Sequence, residues 1–251
     1  MRRAVLALSL AVLPAFSGEP LAYQEGPTKL AGYLARPAAQ GKMPGVLVIH
    51  QWMGLTDHER KVSDDLAKLG YVALAVDVYG EGVRPKTGGE AGKLAGQFKG
   101  DRALYRRRLA AGLEALKAQK GVDSSRLAVI GFCFGGTGAL EAARAGLPVK
   151  GVVSFHGGLD VPADFAPGPL SAKVLVCHGA DDPFVPAKDV AAFQDEMRKS
   201  KADYVFVGYA GAVHAFTQKE AGNDNSKGAA YNEAAHRRSW DHMKAFFQEI
   251  F

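Results

Sequence analysis

Short, unbroken apolar runs separated by stretches of helical periodicity dominate this sequence and restrict what it can fold into. Val46-Leu47-Val48-Ile49 follows Pro44-Gly45 without a polar interruption, as a strand buried on both faces does. Residues 71–76, 127–130, 149–155, 173–177 and 204–207 repeat the pattern. Helical segments fill the intervals. Thr56-Asp57 supplies an N-cap ahead of Val62, Leu66 and Leu69, and Gly70 ends that helix. Tyr105, Leu109, Leu113 and Leu116 mark one face of a second helix. Further helices are expected after Gly136 through Ala145, over 187–200 and over 229–247. Strand and helix in alternation predict an α/β fold, a mostly parallel central sheet with helices on both faces. Function then belongs beyond the carboxyl ends of the strands. The polar, Gly-rich stretch 80–100 reads as a long loop.

The first residues obey a different rule. Met1-Arg2-Arg3, the uncharged apolar run 4–16 and the small residues around Ser17 have the layout of a secretory signal peptide. The run is too short to span a bilayer. The competing reading is an N-terminal element of the domain itself. The expectation is a leader at 1–17, one domain over 18–251, and an exported, periplasmic or secreted product with no membrane segment. The formal charge of +5 includes Arg2 and Arg3, so the remainder is too weakly basic to indicate a nucleic-acid partner. Two cysteines exclude a disulfide-stapled scaffold and a four-cysteine metal site. His58, His236 and His242 lie on expected helices without metal-ligand partners, and no H-E-x-x-H occurs. No metal and no cofactor are expected.

One constellation carries chemistry. Gly131-Phe132-Cys133-Phe134-Gly135 follows a strand and opens a helix, with glycine two positions either side of a nucleophile. Such a turn lifts the sulfur above the sheet and holds it at a helix N-terminus, where negative charge is favoured. The N–H of Phe134 is placed to donate to an oxyanion. Taken alone, Cys133 fits a buried structural thiol equally well. Two further segments shift the balance. Asp181-Asp182-Pro183 follows the strand at 173–177, and His214 follows the strand at 204–207. Nucleophile, acid and histidine occur in the order this turn motif uses, each after its own strand.

At these residues the sequence resembles the dienelactone hydrolase family of α/β-hydrolases. The resemblance spans Ile49-His50-Gln51-Trp52-Met53-Gly54-Leu55, the stretch 66–79 ending Val76-Asp77-Val78-Tyr79, the cysteine elbow, Asp182-Pro183-Phe184-Val185-Pro186, and His214-Ala215-Phe216. It implies Cys133 as nucleophile, His214 as general base and Asp182 as the acid that orients the imidazole. Asp181 is the rival acid; Asp182 is preferred because it stands immediately before the family's x-Phe-Val-Pro run. The implied oxyanion donors are the N–H groups of Trp52 and Phe134. Gln51, Met53, Tyr79 and Phe184 are expected to wall the substrate pocket, and His50 and His156 to lend supporting hydrogen bonds. The implied reaction is acyl transfer from a small ester or lactone through an acyl-enzyme, by a monomer or small homo-oligomer. The alternatives are a non-catalytic binding protein on the same scaffold and a redox protein using the thiol.

Three positions depart from family members that open dienelactone. Their glutamate beside the nucleophile is Gln51 here, and their two carboxylate-binding arginines are Glu81 and Gln218. The departures imply a neutral or cationic substrate; Arg84 is the candidate to compensate, against the usual solvated state of an arginine in a Gly-rich loop. Cys177 is expected to be an inert, buried thiol, about 10 Å from Cys133 across one intervening strand and out of disulfide reach.

Overall fold

The computed structural model describes residues 18–162, 166 and 168–251, so the expected leader at 1–17 lies outside the described residues. A hairpin of β1 (Glu19–Glu25) and β2 (Thr28–Ala35) comes first, then β3 (Met43–Ile49), α1 (Asp57–Lys68) and β4 (Val72–Val76). Next are α2 (Gly88–Gly100), α3 (Arg102–Lys117), β5 (Val122–Phe132), α4 (Phe134–Arg144) and β6 (Gly151–Phe155). The chain finishes with β7 (Lys173–Gly179), α5 (Ala187–Lys199), β8 (Tyr204–Tyr209) and α6 (Glu233–Ile250). Together the strands form one eight-stranded sheet in the order β1-β2-β4-β3-β5-β6-β7-β8. Pairing is parallel from β4 through β8 and antiparallel only at β1–β2 and β2–β4.

Alternation within each buried strand divides the core. Leu47 and Ile49 point to the face covered by α2, α3, α4 and α5, where Phe98, Tyr105, Leu140 and Phe193 pack. Val46 and Val48 point to the opposite face, against Val62 and Leu66 of α1 and Met243 and Phe247 of α6. Complete burial of side chains this size contributes about 1.5–3 kcal/mol each, which fixes the strand register. No described helix is long and apolar enough to cross a membrane.

The stretch 80–100 is not all loop. Its second half is α2, capped by Thr87, whose hydroxyl accepts from the Glu90 N–H. Five glycines disguise it, each costing about 1 kcal/mol against alanine. Ala91, Ala95 and Phe98 offset that by burying one stripe at helical spacing. The hairpin β1–β2 also lies outside the unbroken-run pattern, since β1 buries only alternate residues partway. The C-terminal helix begins at Glu233, later than expected, because Asn232 caps it by accepting from the Ala235 N–H. Ala229 instead pairs with His214 as an isolated bridge.

Candidate active site

The turn after β5 is forced by its glycines. A Cβ on Gly131 would lie 1.9 Å from the Gly135 carbonyl oxygen, and one on Gly135 would lie 2.2 Å from that of Ile49. Neither can be relieved, because both obstacles are backbone. Between them Cys133 takes φ +54, a conformation L-residues rarely adopt, and stands as the N-cap of α4. Its N–H bonds the Phe155 carbonyl at 3.0 Å and the His156 Nδ1 at 3.1 Å. His156 is itself held at positive φ and bonds the Thr217 hydroxyl through Nε2 at 2.8 Å. Because Nδ1 accepts, Nε2 carries the proton, and full burial keeps this imidazole neutral, well below its ordinary pKa.

Two strand ends, those of β7 and β8, deliver the remaining groups. His214 Nε2 lies 3.0 Å from Cys133 Sγ, and His214 Nδ1 lies 2.8 Å from Asp182 Oδ2. The other Asp182 oxygen accepts from the Phe184 N–H at 2.9 Å, so this buried carboxylate has no freedom to turn. Asp181, the rival acid, faces away and accepts from the Gly211 N–H at 3.0 Å. The His214 backbone is bound on both sides by the 228–230 segment: its N–H donates to Gly228 O and its carbonyl accepts from the Ala230 N–H.

Burial, the largest influence on Cys133, pushes its pKa up. The hydrogen bond and charge of His214, the Lys99 ammonium and the Phe134 N–H outweigh it, leaving the thiol below its ordinary value. Burial likewise lowers His214, but its bonds to Asp182 and Cys133 raise it to about 10. Both shifts act in the direction of a thiolate beside an imidazolium. Such a pair can attack an electrophilic carbon and then return the proton to a leaving group.

Gln51, Trp52 and Met53 form the turn after β3. The buried carboxylate of Glu59 fixes it, accepting from the Gln51 N–H at 3.3 Å and the Thr56 N–H at 2.8 Å. The Tyr79 hydroxyl donates to the Trp52 carbonyl at 2.8 Å. His50 bonds the Gln51 carbonyl through Nδ1 at 2.5 Å and accepts from the Val78 N–H, tying the turn to the strand beside it. The Trp52 ring is 41 % exposed and lies against Gly88 at the start of α2. Phe184 is 61 % exposed and meets the His214 ring edge-on at 5.4 Å. Met53 and Gln51 line a cleft of about 620 Å³ with Gln218 and Glu220.

Tyr79 departs from the expected pocket wall. It is 6 % exposed and packs among His50, Phe98 and Phe134, because its hydroxyl is used by the Trp52 carbonyl; its ring belongs to the core. Arg84 does not reach into the site either. It bonds the Gly80 and Val83 carbonyls and pairs with buried Asp77 at 3.5 Å, stapling its own loop. Glu81 is exposed. Gln51 and Gln218 pair with each other, the Gln218 amide donating to the Gln51 carbonyl oxygen. Lys99 and Thr217 were not legible in the sequence: Lys99 sits on the helix masked by glycines, and Thr217 acts only through His156. Cys177 is buried beneath the Tyr209 hydroxyl, 3.5 Å away, and burial pushes its pKa up to about 12. Among the described residues no group of His, Cys, Asp or Glu is arranged to hold a metal ion.

A family model described as the dienelactone hydrolase family matches residues 30–251. A probable 2-oxo-3-(5-oxofuran-2-ylidene)propanoate lactonase from a Bradyrhizobium species is 33 % identical over 76 % of this chain and 80 % of its own. A putative carboxymethylenebutenolidase of Synechocystis is 31 % identical over 88 % of this chain and 92 % of its own. Among solved structures, a dienelactone hydrolase-like promiscuous phosphotriesterase from metagenomic libraries is 40 % identical, with a TM-score of 0.89 over 95 % of this chain and all of that one.

Proposed function

The chain belongs to the dienelactone hydrolase family and is a carboxylic ester or lactone hydrolase; from that premise we propose that it works through Cys133, His214 and Asp182 on uncharged substrates. The observation that carries the reading is the continuous contact from Cys133 Sγ through the His214 ring to Asp182. The Cys133 thiolate attacks the carbonyl carbon, and the π pair moves onto oxygen, facing the N–H groups of Phe134 and Trp52. As the tetrahedral intermediate collapses, the C–O bond breaks and the leaving oxygen takes the proton from His214 Nε2. Neutral His214 then deprotonates water, which attacks the thioester. The thiolate departs, and imidazolium is restored with Asp182 holding Nδ1–H throughout.

Substrate charge follows from what lines the cleft beside Gln51. Gln51 and Gln218 engage each other as amides, Asp57 and Glu220 add acids, and Arg84 is committed to Asp77. An anionic lactone meets no guanidinium in that cleft, whereas a neutral ester or lactone has nothing to lose there. Lys99 acts on the thiolate itself. A second reading, attack on neutral phosphotriesters, is favoured by the 40 % identical relative whose description names that activity and by the same cleft, which no lysine or arginine lines. Export of a mature chain beginning near Gly18 is also part of the proposal, supported by the layout of residues 1–17, and cell fractionation tests it.

Hydrolysis of p-nitrophenyl acetate by wild type and Cys133→Ala tests the chemistry. The account expects turnover in the first and a loss of about 10³-fold or more in the second. Equal turnover by both would remove Cys133 from the chemistry, and no turnover by wild type would reduce the scaffold to a binding protein. Turnover of 4-carboxymethylenebut-2-en-4-olide matching that of neutral lactones would contradict the substrate assignment.

A further inference from the structure

A second cleft of about 620 Å³ opens between α1 and α6. It meets the cleft beside Gln51 and Gln218 at His58 and Glu220, which line both. Its floor is His58, Val62, Thr217, Tyr231, His236 and Trp240. Charges occur at its rim, where Lys61 pairs with Asp65 and Lys244 with Asp241, and where Lys219, Glu220, Glu233 and Arg237 add two of each sign. The floor itself is aromatic and uncharged in character: burial keeps His236 below its ordinary pKa, and its Nδ1 meets the Tyr231 hydroxyl at 3.3 Å. One polar atom there is unanswered. His58 Nε2 is buried and has no hydrogen-bond partner among the described residues, so a ligand that bonds it would remove a desolvation cost the fold now bears. Thr217 joins this floor to the elbow, through His156 to the Cys133 N–H.

Building on the hydrolase reading, we propose that this continuous groove is an extended subsite for an uncharged, aromatic-bearing arm of the substrate, lying from Gln218 past His58 to Trp240. Two stretches of about 620 Å³ exceed what a small lactone fills. The four basic and four acidic side chains of the rim balance, so it carries no net charge that would select a charged arm. Tyr231 and Trp240 offer ring faces and edges, and His58 Nε2 offers a polar contact to an ether, amide or hydroxyl along the arm.

The test compares long and short substrates on either side of the ester: 4-nitrophenyl 6-phenylhexanoate against 4-nitrophenyl acetate, and 6-phenylhexyl acetate against ethyl acetate. At least one long ester should exceed its short counterpart in kcat/KM by about tenfold. Replacing its phenyl by a carboxylate or ammonium should abolish the gain, and Trp240→Ala should shrink the long-to-short ratio, chiefly through KM. A readout independent of turnover guards against failure of the hydrolase reading. In Trp52→Phe, Trp240 is the remaining tryptophan, and its fluorescence should change saturably with N-(6-phenylhexyl)acetamide, which is not an ester. Absence of saturation, or ratios near one that Trp240→Ala leaves unchanged, would overturn the subsite. Saturable binding without turnover of any ester would keep the subsite and sink the triad chemistry.

Discussion

Cys133 and Cys177 stand on the same sheet with only β6 between their strands, Phe155 facing Phe132 on one side and Cys177 on the other. Burial acts on both thiols in the same direction, against ionisation. At Cys177 it wins, because the Tyr209 hydroxyl is the one group near the sulfur and carries no charge. At Cys133 it loses to an imidazole held 3.0 Å away, a lysine charge and the first N–H of a helix. One residue further along its strand than the position level with Cys177, a side chain leaves the sheet's interior for its rim, where other loops can bring it partners. Reactivity in this fold is thus a matter of position relative to the strand ends, not of residue type.

The largest effect that could break this contrast is on turnover. Cys133→Ala should lower ester hydrolysis by about 10³-fold or more, while Cys177→Ala, assayed beside it, stays within about twofold. Comparable losses at both positions would erase the distinction. Asp182→Asn comes next. The amide keeps the size of the acid but no longer favours His214 imidazolium, so kcat should fall by about 10²–10⁴. The alkylation rate of Cys133 near neutral pH should fall with it, moving this thiol toward the behaviour of Cys177. A smaller effect concerns the cleft. Gln51→Glu with Gln218→Arg exchanges the amide pair for a charged one, and kcat/KM for an anionic dienelactone should rise about tenfold; steady-state kinetics against a neutral lactone supplies the reference. Smallest is the stability cost of Cys177→Ala, about 1 kcal/mol from the lost sulfur volume in a packed interior, read from the denaturation midpoint.

Much of the rim was legible because it depends on local rules. The glycines around Cys133 announce a turn with no room for side chains, and the strand preceding each of Cys133, Asp182 and His214 announces a common edge. The parallel strands were legible for a similar reason: burial on both faces leaves an unbroken apolar run. What failed was whatever depends on partners distant in sequence. Strand β1 is half-exposed and lacks such a run. Five of the thirteen residues of helix α2 are glycine, and only its packing against the core reveals it. Tyr79 reads as a pocket residue until its hydroxyl is seen on the Trp52 carbonyl. The Gln51–Gln218 pair joins residues 167 positions apart; each departure was visible alone, and their pairing was not.

The ionisation of Cys133 is the claim on which the rest depends, and the pH profile of its alkylation by iodoacetamide measures it directly. The profile is recorded in a Cys177→Ala background so that one thiol is counted. With the thiol lowered and His214 raised to about 10, the ion pair occupies the window between the two pKa values. The reaction should therefore reach its plateau below the ordinary thiol range of about 8.5. Removing the imidazole with His214→Ala leaves burial with less opposition, and the midpoint should move upward past that value. A midpoint that stays in place without the histidine would contradict the account.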